Sequence, residues 1–392
     1  MKSYFKQYLR NFDYGLFFVF IFLSLFGLVM IYSSSIWVSI VYLGESPDYY
    51  FLKQRTNLIL AFLLFLVVVI VPYKRLSSKV ILMPLMVLMI ILEFWVTFAG
   101  NGKTTTGSQS WISIFGLMNF QPSEFAKLFI IIFFAGTFYR KSINKGSAQL
   151  LKFDDISFPL GMWLFILGCV GLETDIGALL IIFVIAMSVV LTSGIKGKVL
   201  LRIFGMVAGL GAVVVSALLL FKWESITTAS RVGRFTSYLD PFAYAQGSGY
   251  QVVNGYYAIG SGGLEGKGLG QSVQKLGYLP EPQTDFIMAV IAEELGLLGV
   301  SIVIFGLAFI VMRGFYIAMI TKDPLARMLA AGISTWIGLQ TFINLGGLSG
   351  IIPLTGVTLP FISYGGTSIL LLSVAMGILI NVSTYHKIEK RK

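Results

Sequence analysis

Of 392 residues, 56% are hydrophobic and only 12% are charged, and mean hydropathy is +0.85. A soluble domain of this length carries about a quarter charged residues, so too few remain here to cover a water-exposed surface, and lipid must cover it instead. The net charge of +11 would suit nucleic acid, but its placement along the chain assigns it to membrane topology.

Apolar runs long enough to cross about 30 Å of hydrocarbon fall at 15–36, 56–72, 80–99, 124–139, 156–172, 176–193, 199–221, 286–312, 326–346 and 361–383. This predicts an all-α polytopic membrane protein of ten transmembrane helices, a single domain over 1–392. Lys2, Lys6 and Arg10 precede the first span, which is too long and lacks the small-residue site of a cleaved signal peptide. With the N-terminus inside, the inner segments hold 20 Lys and Arg and the outer segments 8, while Lys127 lies within a span. Both termini are therefore expected in the cytoplasm. The single cysteine, Cys169, excludes an intramolecular disulfide. A long outer loop, 222–285, joins spans seven and eight. Loops of that length in compact folds are usually functional or disordered, and its tyrosines and phenylalanines disfavour plain disorder.

Each ionisable group inside a span costs about 2.5–3.5 kcal/mol at a helix centre and needs a reason. The candidates are Glu93, Glu124, Lys127, Glu173, Asp175, Asp285, Glu293 and Glu294, all in the outer half of the membrane. Counted from the outer start of its span, Glu294 lies roughly 13 Å in, whereas Asp285 stands at the outer mouth. A transporter distributes polar groups through both leaflets, so the one-sided distribution favours chemistry at the outer face. Bland accounts exist for each. Lys127 can snorkel to the interface or pair with Glu124 on one helix face; Glu293 and Glu294 can be packing groups; Asp285 can cap the following helix.

Generic catalytic motifs are absent, and no Cys/His cluster suggests zinc. His386 lies in the cytoplasmic tail. The glycine-rich stretch Gly260–Gly270 follows no strand, so it is not a nucleotide loop, although its amides could face an anion.

Three longer strings are specific. They are Gln121-Pro-Ser-Glu-Phe-Ala-Lys-Leu128 after Trp111; Gly268 to Ile287, containing Thr284-Asp285-Phe286 and continuing to Glu293-Glu-Leu-Gly296; and Pro353-Leu-Thr-Gly-Val-Thr-Leu-Pro-Phe-Ile-Ser-Tyr-Gly-Gly-Thr-Ser368. Together they resemble the SEDS family of bacterial cell-wall proteins, whose branches are the division protein FtsW, the elongation protein RodA and a sporulation member (SpoVE-like). Asp240-Pro-Phe and the run Gln-Ser-Val-Gln-Lys-Leu-x-Tyr-Leu-Pro-Glu look more like the FtsW branch. Gln283, where the family often has His, and Gly277, where many division-type members are acidic, depart from the pattern.

The resemblance implies an inverting peptidoglycan glycosyltransferase that polymerises lipid II, on its undecaprenyl diphosphate carrier, at the outer face of the cytoplasmic membrane. It would work beside a class B penicillin-binding protein and other divisome proteins at the septum. The family's catalytic aspartate matches Asp285. A sugar hydroxyl needs one base in the transition state, and a diphosphate leaving group needs cations, for which Lys127, Arg231 and Arg234 are the candidates. Arg231 and Arg234 could equally hold the loop against lipid headgroups. Trp111 would stack on a sugar or anchor the interface. Glu281 would tune Asp285 by like-charge repulsion, and Glu124 and Glu294 complete the candidate set. No dedicated metal cage is evident, and Mg2+ or Mn2+ assistance to the diphosphate stays open. The rival readings are a lipid II flippase and a catalytically silent scaffold for the penicillin-binding protein.

Overall fold

A computed structural model of the chain describes residues 2–100, 110–114, 118–144, 153–206, 209, 233 and 236–391. The helices in order are α1 (Lys2–Asn11), α2 (Tyr14–Trp37, extended by a π-turn over Val38–Tyr42), α3 (Tyr49–Ile70), α4 (Lys79–Ala99), α5 (Pro122–Asn144), α6 (Phe153–Leu172), α7 (Ile176–Thr192), α8 (Tyr250–Gly262), α9 (Ile287–Ile320), α10 (Pro324–Leu348) and α11 (Gly366–Lys390). A two-stranded hairpin, β1 (Ile112–Ile114) against β2 (Met118–Phe120), is the only sheet among the described residues. Eight of the helices are long and apolar enough to span a bilayer, and α7 is a shorter apolar helix. The expected seventh span, 199–221, lies largely outside the described residues, as do Arg231 and Arg234.

The most enclosed helices are α5 and α11, with 89% and 83% of their apolar windows buried, against 22% for α3 and α4. The exposed α3 and α4 therefore form the rind, and the centre is built by α5, α10 and α11. At the end of the bundle where α2 begins, buried Asp13 accepts from Ser383 (2.5 Å), Arg313 (3.1 Å) and Lys387 (3.1 Å), which ties α2, α9 and α11 together.

Two expected spans differ from the observed helices. The tenth begins at Gly366 rather than 361. Residues 353–364 instead form a non-helical segment packed into the helices, where side chains of α10 satisfy its backbone: Gln340 Nε2 donates to Thr358 O (3.0 Å) and Asn344 Nδ2 to Val357 O (2.8 Å). Irregular backbone at membrane depth is tolerated only with such protein partners. Its apolar composition reads as helix because the sequence pattern does not show those donors.

The eighth span is not one continuous rod. Gly296 has φ 60° and ψ −155°, dividing α9 into arms over 287–295 and 297–320. A Cβ at Gly299 would lie 3.2 Å from the Ile291 side chain. In a straight helix those two residues stand about 12 Å apart along the axis, so the short arm folds back on the long one.

Candidate active site

The second and third sequence strings meet at Asp285, and the first reaches the third through Gln340 and Thr367. Asn344, on α10, donates from Nδ2 to Asp285 O (3.0 Å) as well as to Val357 O, joining the second string to the third. Ser363 Oγ donates to Thr284 O (2.6 Å), and Tyr364 N donates to Gln283 O (2.9 Å). The Asp285 carboxylate lies beside Gly356, whose φ is +76° and where an added Cβ would come within 3.5 Å of Oδ2. Glycine there serves both the left-handed turn and the close approach. The helix begins at Ile287, with Phe286 in the capping position.

The first string joins through α5. Lys127 is 1% exposed. It does not snorkel: its ammonium donates to Glu124 (2.5 Å) and Gln340 Oε1 (3.3 Å), and sits 5.6 Å from the Trp336 ring centroid. Trp336 Nε1 donates to the same Gln340 oxygen (2.7 Å). A chain of polar contacts therefore runs Lys127–Gln340–Thr358, one helical turn (about 5–6 Å) below Asn344 and Asp285. Gln121 Nε2 donates to Asp175 (3.1 Å), and Asp175 caps α7 by accepting from Ala178 N (2.9 Å). Gln121 N donates to Thr367 Oγ1 (3.3 Å), which ties the start of α5 to the start of α11.

Glu293 and Glu294 have a different place. Glu293 accepts from Lys267 (2.7 Å), Ser272 Oγ (2.5 Å) and the amides of Val273 and Gln274. Glu294 accepts from Lys275 (2.5 Å) and Ser33 of α2 (2.7 Å). These bonds hold the glycine-rich loop 263–279 against the break in α9, where Lys267 N and Gly268 N also take the carbonyls of Glu293 and Glu294. Glu294 is thus committed to a structural clamp, away from the contacts made by Asp285.

Helix α2 gives the relative heights. Gly27 packs on the backbone of Phe361 and Ile362, at the level of the Ser363–Thr284 bond, and Ser33 meets Glu294 about 9 Å further up the helix. From Asp13 to Ser33 is about 30 Å, one hydrocarbon thickness. Glu294 therefore stands about one hydrocarbon thickness from Asp13, and Asp285 lies nearer to Asp13 than Glu294 does. This reverses the order expected from the sequence, because the chain folds back at Gly296.

Glu281 is exposed, with φ +50°, and accepts from Gln283 Nε2 (3.2 Å) and Thr284 Oγ1 (3.1 Å). It shapes the approach to Asp285 as a turn residue. Trp111 is half-buried at the foot of β1 and has no hydrogen bond or ring contact among the described residues. Glu93 and Glu173 are buried near one another beside Ser110. Burial, and then the Asp175 carboxylate, push Glu173 above the usual carboxylate range. No three His, Cys, Asp or Glu side chains form a metal-holding group among the described residues. Sequence reading missed Gln340 and Asn344. Their spacing of four on an apolar helix was the available signal, since amides in lipid need partners.

The family model described as "Cell cycle protein", covering FtsW, RodA and SpoVE, matches residues 14–388. A probable peptidoglycan glycosyltransferase FtsW of Bacillus subtilis is 45% identical over 99% of this chain and 94% of its own length. The stage V sporulation protein E of the same organism is 36% identical over 92% and 94%, and the Haemophilus influenzae FtsW is 35% identical over 95% and 90%. Among solved structures, a chain of a peptidoglycan synthase complex shares the fold at TM-score 0.72 and 23% identity, over 96% of this chain and 98% of that one. Thermus thermophilus RodA does so at 0.65 and 23%, over 96% and 97%. With residues 14–388 matched by the family model and relatives aligned over nearly its whole length, the chain belongs to the FtsW/RodA/SpoVE family of membrane-embedded cell cycle proteins.

Proposed function

We propose that this protein is a peptidoglycan glycosyltransferase that polymerises lipid II at the outer face of the cytoplasmic membrane, in the service of septal wall synthesis. The observation that carries the reading is that Gly356 of the third motif lies against the Asp285 carboxylate of the second, while Lys127 of the first is joined to the same segment through Gln340, one turn along α10 from Asn344. Relatives at 45% and 35% identity over nearly the whole chain carry the glycosyltransferase name.

In this mechanism Asp285 is the general base that takes the proton of the acceptor sugar hydroxyl as it attacks the anomeric carbon. The lipid diphosphate leaves as an anion, neutralised by Lys127 and by Arg231 and Arg234, and direct displacement inverts the anomeric centre. Lys127 already carries Glu124, so binding a diphosphate there means sharing the ammonium. Trp111 and Glu281 flank the approach, and a Mg2+ or Mn2+ ion would arrive with the diphosphate oxygens. The proposed topology has ten spans, both termini in the cytoplasm and the loop 222–285 outside. A class B penicillin-binding protein is the proposed partner, with its membrane helix against α9 and α10.

A flippase would need polar groups continuing to the inner leaflet. Among the described residues the inner ionisable cluster of Asp13, Arg313 and Lys387 is separate from the Asp285–Lys127 level, which favours polymerisation. The test compares purified protein and its Asp285→Ala form, each with a class B partner and lipid II. Glycan strands from the parent and none from the folded variant support the reading. Equal polymer from both removes Asp285 as the base, and lipid II crossing vesicles without polymer turns the case to a flippase.

A further inference from the structure

At the inner surface, a cavity of about 500 Å3 is lined by Arg10, Asn11, Phe12, Lys387, Lys390 and Arg391. It lies where the end of α1 meets the last turn of α11. Four of its six lining residues are cations and none is acidic. Asp13, the nearest acid, is buried and already holds Ser383, Arg313 and Lys387, while Glu389 takes Lys74 (3.1 Å). Arg10, Lys390 and Arg391 are exposed and have no acidic partner among the described residues. Basic loops alone would satisfy topology, but scattered charges suffice for that. Here they converge on one concavity.

Two further features show what the concavity fits. Asn11 is 3% exposed, and its Oδ1 has no donor among the described residues, while its Nδ2 is used on Gln7 O. The site therefore offers a buried acceptor beside cations, which suits a ligand carrying both a phosphate and a hydroxyl. An aromatic ladder also climbs from the cavity. Phe12 meets Tyr14 (5.1 Å between centroids), Tyr14 stacks on Phe18 (6.2 Å), and Tyr14 and Phe18 are 47% and 62% exposed on the lipid-facing side of α2. A soluble anion has no use for that ladder; an acyl chain does.

We infer that this cavity binds the headgroup of an anionic glycerophospholipid of the inner leaflet, with its phosphate among Arg10, Lys390 and Arg391, a headgroup hydroxyl donating to Asn11, and an acyl chain along Phe12, Tyr14 and Phe18. Basic pockets at the cytoplasmic ends of membrane helices hold such headgroups. The occupied site would pin α1 to α11, and through the shared Lys387–Asp13 contact to α9. The inference rests on the inner-face orientation of the termini and not on the chemistry assigned to Asp285.

The test uses the full chain in neutral detergent, without lipid II, titrated with short-chain phosphatidylglycerol, with phosphatidylcholine of equal chain length, and with inorganic phosphate. Thermal melting and native mass spectrometry are the readouts. Phosphatidylglycerol is expected to raise the melting temperature and to remain bound, unlike the other two. Each Lys or Arg near an anionic headgroup is worth roughly a fivefold change in affinity. The triple variant Arg10→Gln, Lys390→Gln, Arg391→Gln should therefore need about a hundredfold more lipid, and Arg391→Gln alone about fivefold should the triple variant misfold. Phe18→Gln should weaken phosphatidylglycerol and leave any phosphate response unchanged. Undiminished binding by the charge variants, or equal binding of phosphatidylcholine, overturns the proposal. A phosphate response equal to that of phosphatidylglycerol, insensitive to Phe18→Gln, would make the cavity a free-anion site and overturn the lipid assignment.

Discussion

Replacing Asn344 by Ala should cripple the reaction without touching Asp285 itself. Asn344 Nδ2 is the shared donor to Asp285 O (3.0 Å) and Val357 O (2.8 Å), and it sits 5% exposed inside α10. A net hydrogen bond is worth about 1 kcal/mol, and an orphaned buried acceptor costs about 1–3 kcal/mol. Both carbonyls belong to half-buried residues, so some water can reach them, and the lower end applies: about 2 kcal/mol of stability for the pair. The catalytic loss should be larger in proportion. With the bridge gone, the strip bearing Asp285 and the turn at Gly356 can part by fractions of an ångström, and misplacement of about 1 Å costs on the order of a hundredfold. The assay is glycan polymerisation by the purified variant at saturating lipid II, with a thermal melt of the same sample. A fall in kcat of roughly ten- to a hundredfold with little change in KM is expected. Asn344→Asp should not rescue, because it replaces the donor with an acceptor facing two carbonyls. Full kcat in a folded Asn344→Ala protein would refute the view that this amide positions the base.

Three other outcomes are expected. Lys127→Met strands Glu124 in the interior and should cost about 3–5 kcal/mol, whereas Lys127→Met with Glu124→Gln should recover most of the melting temperature and leave polymerisation impaired. Gly296→Ala puts a Cβ 2.4 Å from Leu264 O at φ +60°; strain of about 1–3 kcal/mol plus that clash should abolish both the folded yield in detergent and the polymer formed. For Asp13, burial disfavours the charge, but the Ser383 hydrogen bond and the Lys387 and Arg313 charges outweigh it and hold the carboxyl below its ordinary value. Its stabilisation should be complete above the unfolded value of about 3.9 and vanish as pH falls through the folded one. Asp13→Asn should therefore melt lower at pH 7 and lose less than the parent on acidification below about pH 4, which parallel melting curves would check.

Much of this arrangement is legible in the residues themselves. Long apolar runs locate most of the helices, because the cost of burying charge in lipid leaves few alternatives. The pairing of Lys127 with Glu124 follows from their spacing on one helix. What could not be read was backbone that is apolar yet not helical. Residues 353–364 and the fold-back at Gly296 depend on donors from distant chain segments, Gln340, Asn344 and the amides of Lys267 and Gly268, and no local pattern reports them. For the same reason Glu294, which looks like an intramembrane acid awaiting a role, is taken up by Ser33 and Lys275, whose proximity only the tertiary fold creates.

The short arm of α9 acts as a depth gauge. One end is fastened at Glu294 to α2 and to the glycine-rich loop, and the other delivers Asp285 to Asn344, so the number of residues between those two carboxylates fixes how far Asp285 stands from the level of Ser33. One residue added to that arm would lower Asp285 by about 1.5 Å and swing it through about 100°, which no adjustment of the long outer loop could undo. Lengthening the loop itself, by contrast, should leave Asp285 where it is. Tolerance to insertion should thereby change where the outer loop passes into the short arm, just after Asp285, and the short arm is the segment whose length cannot vary.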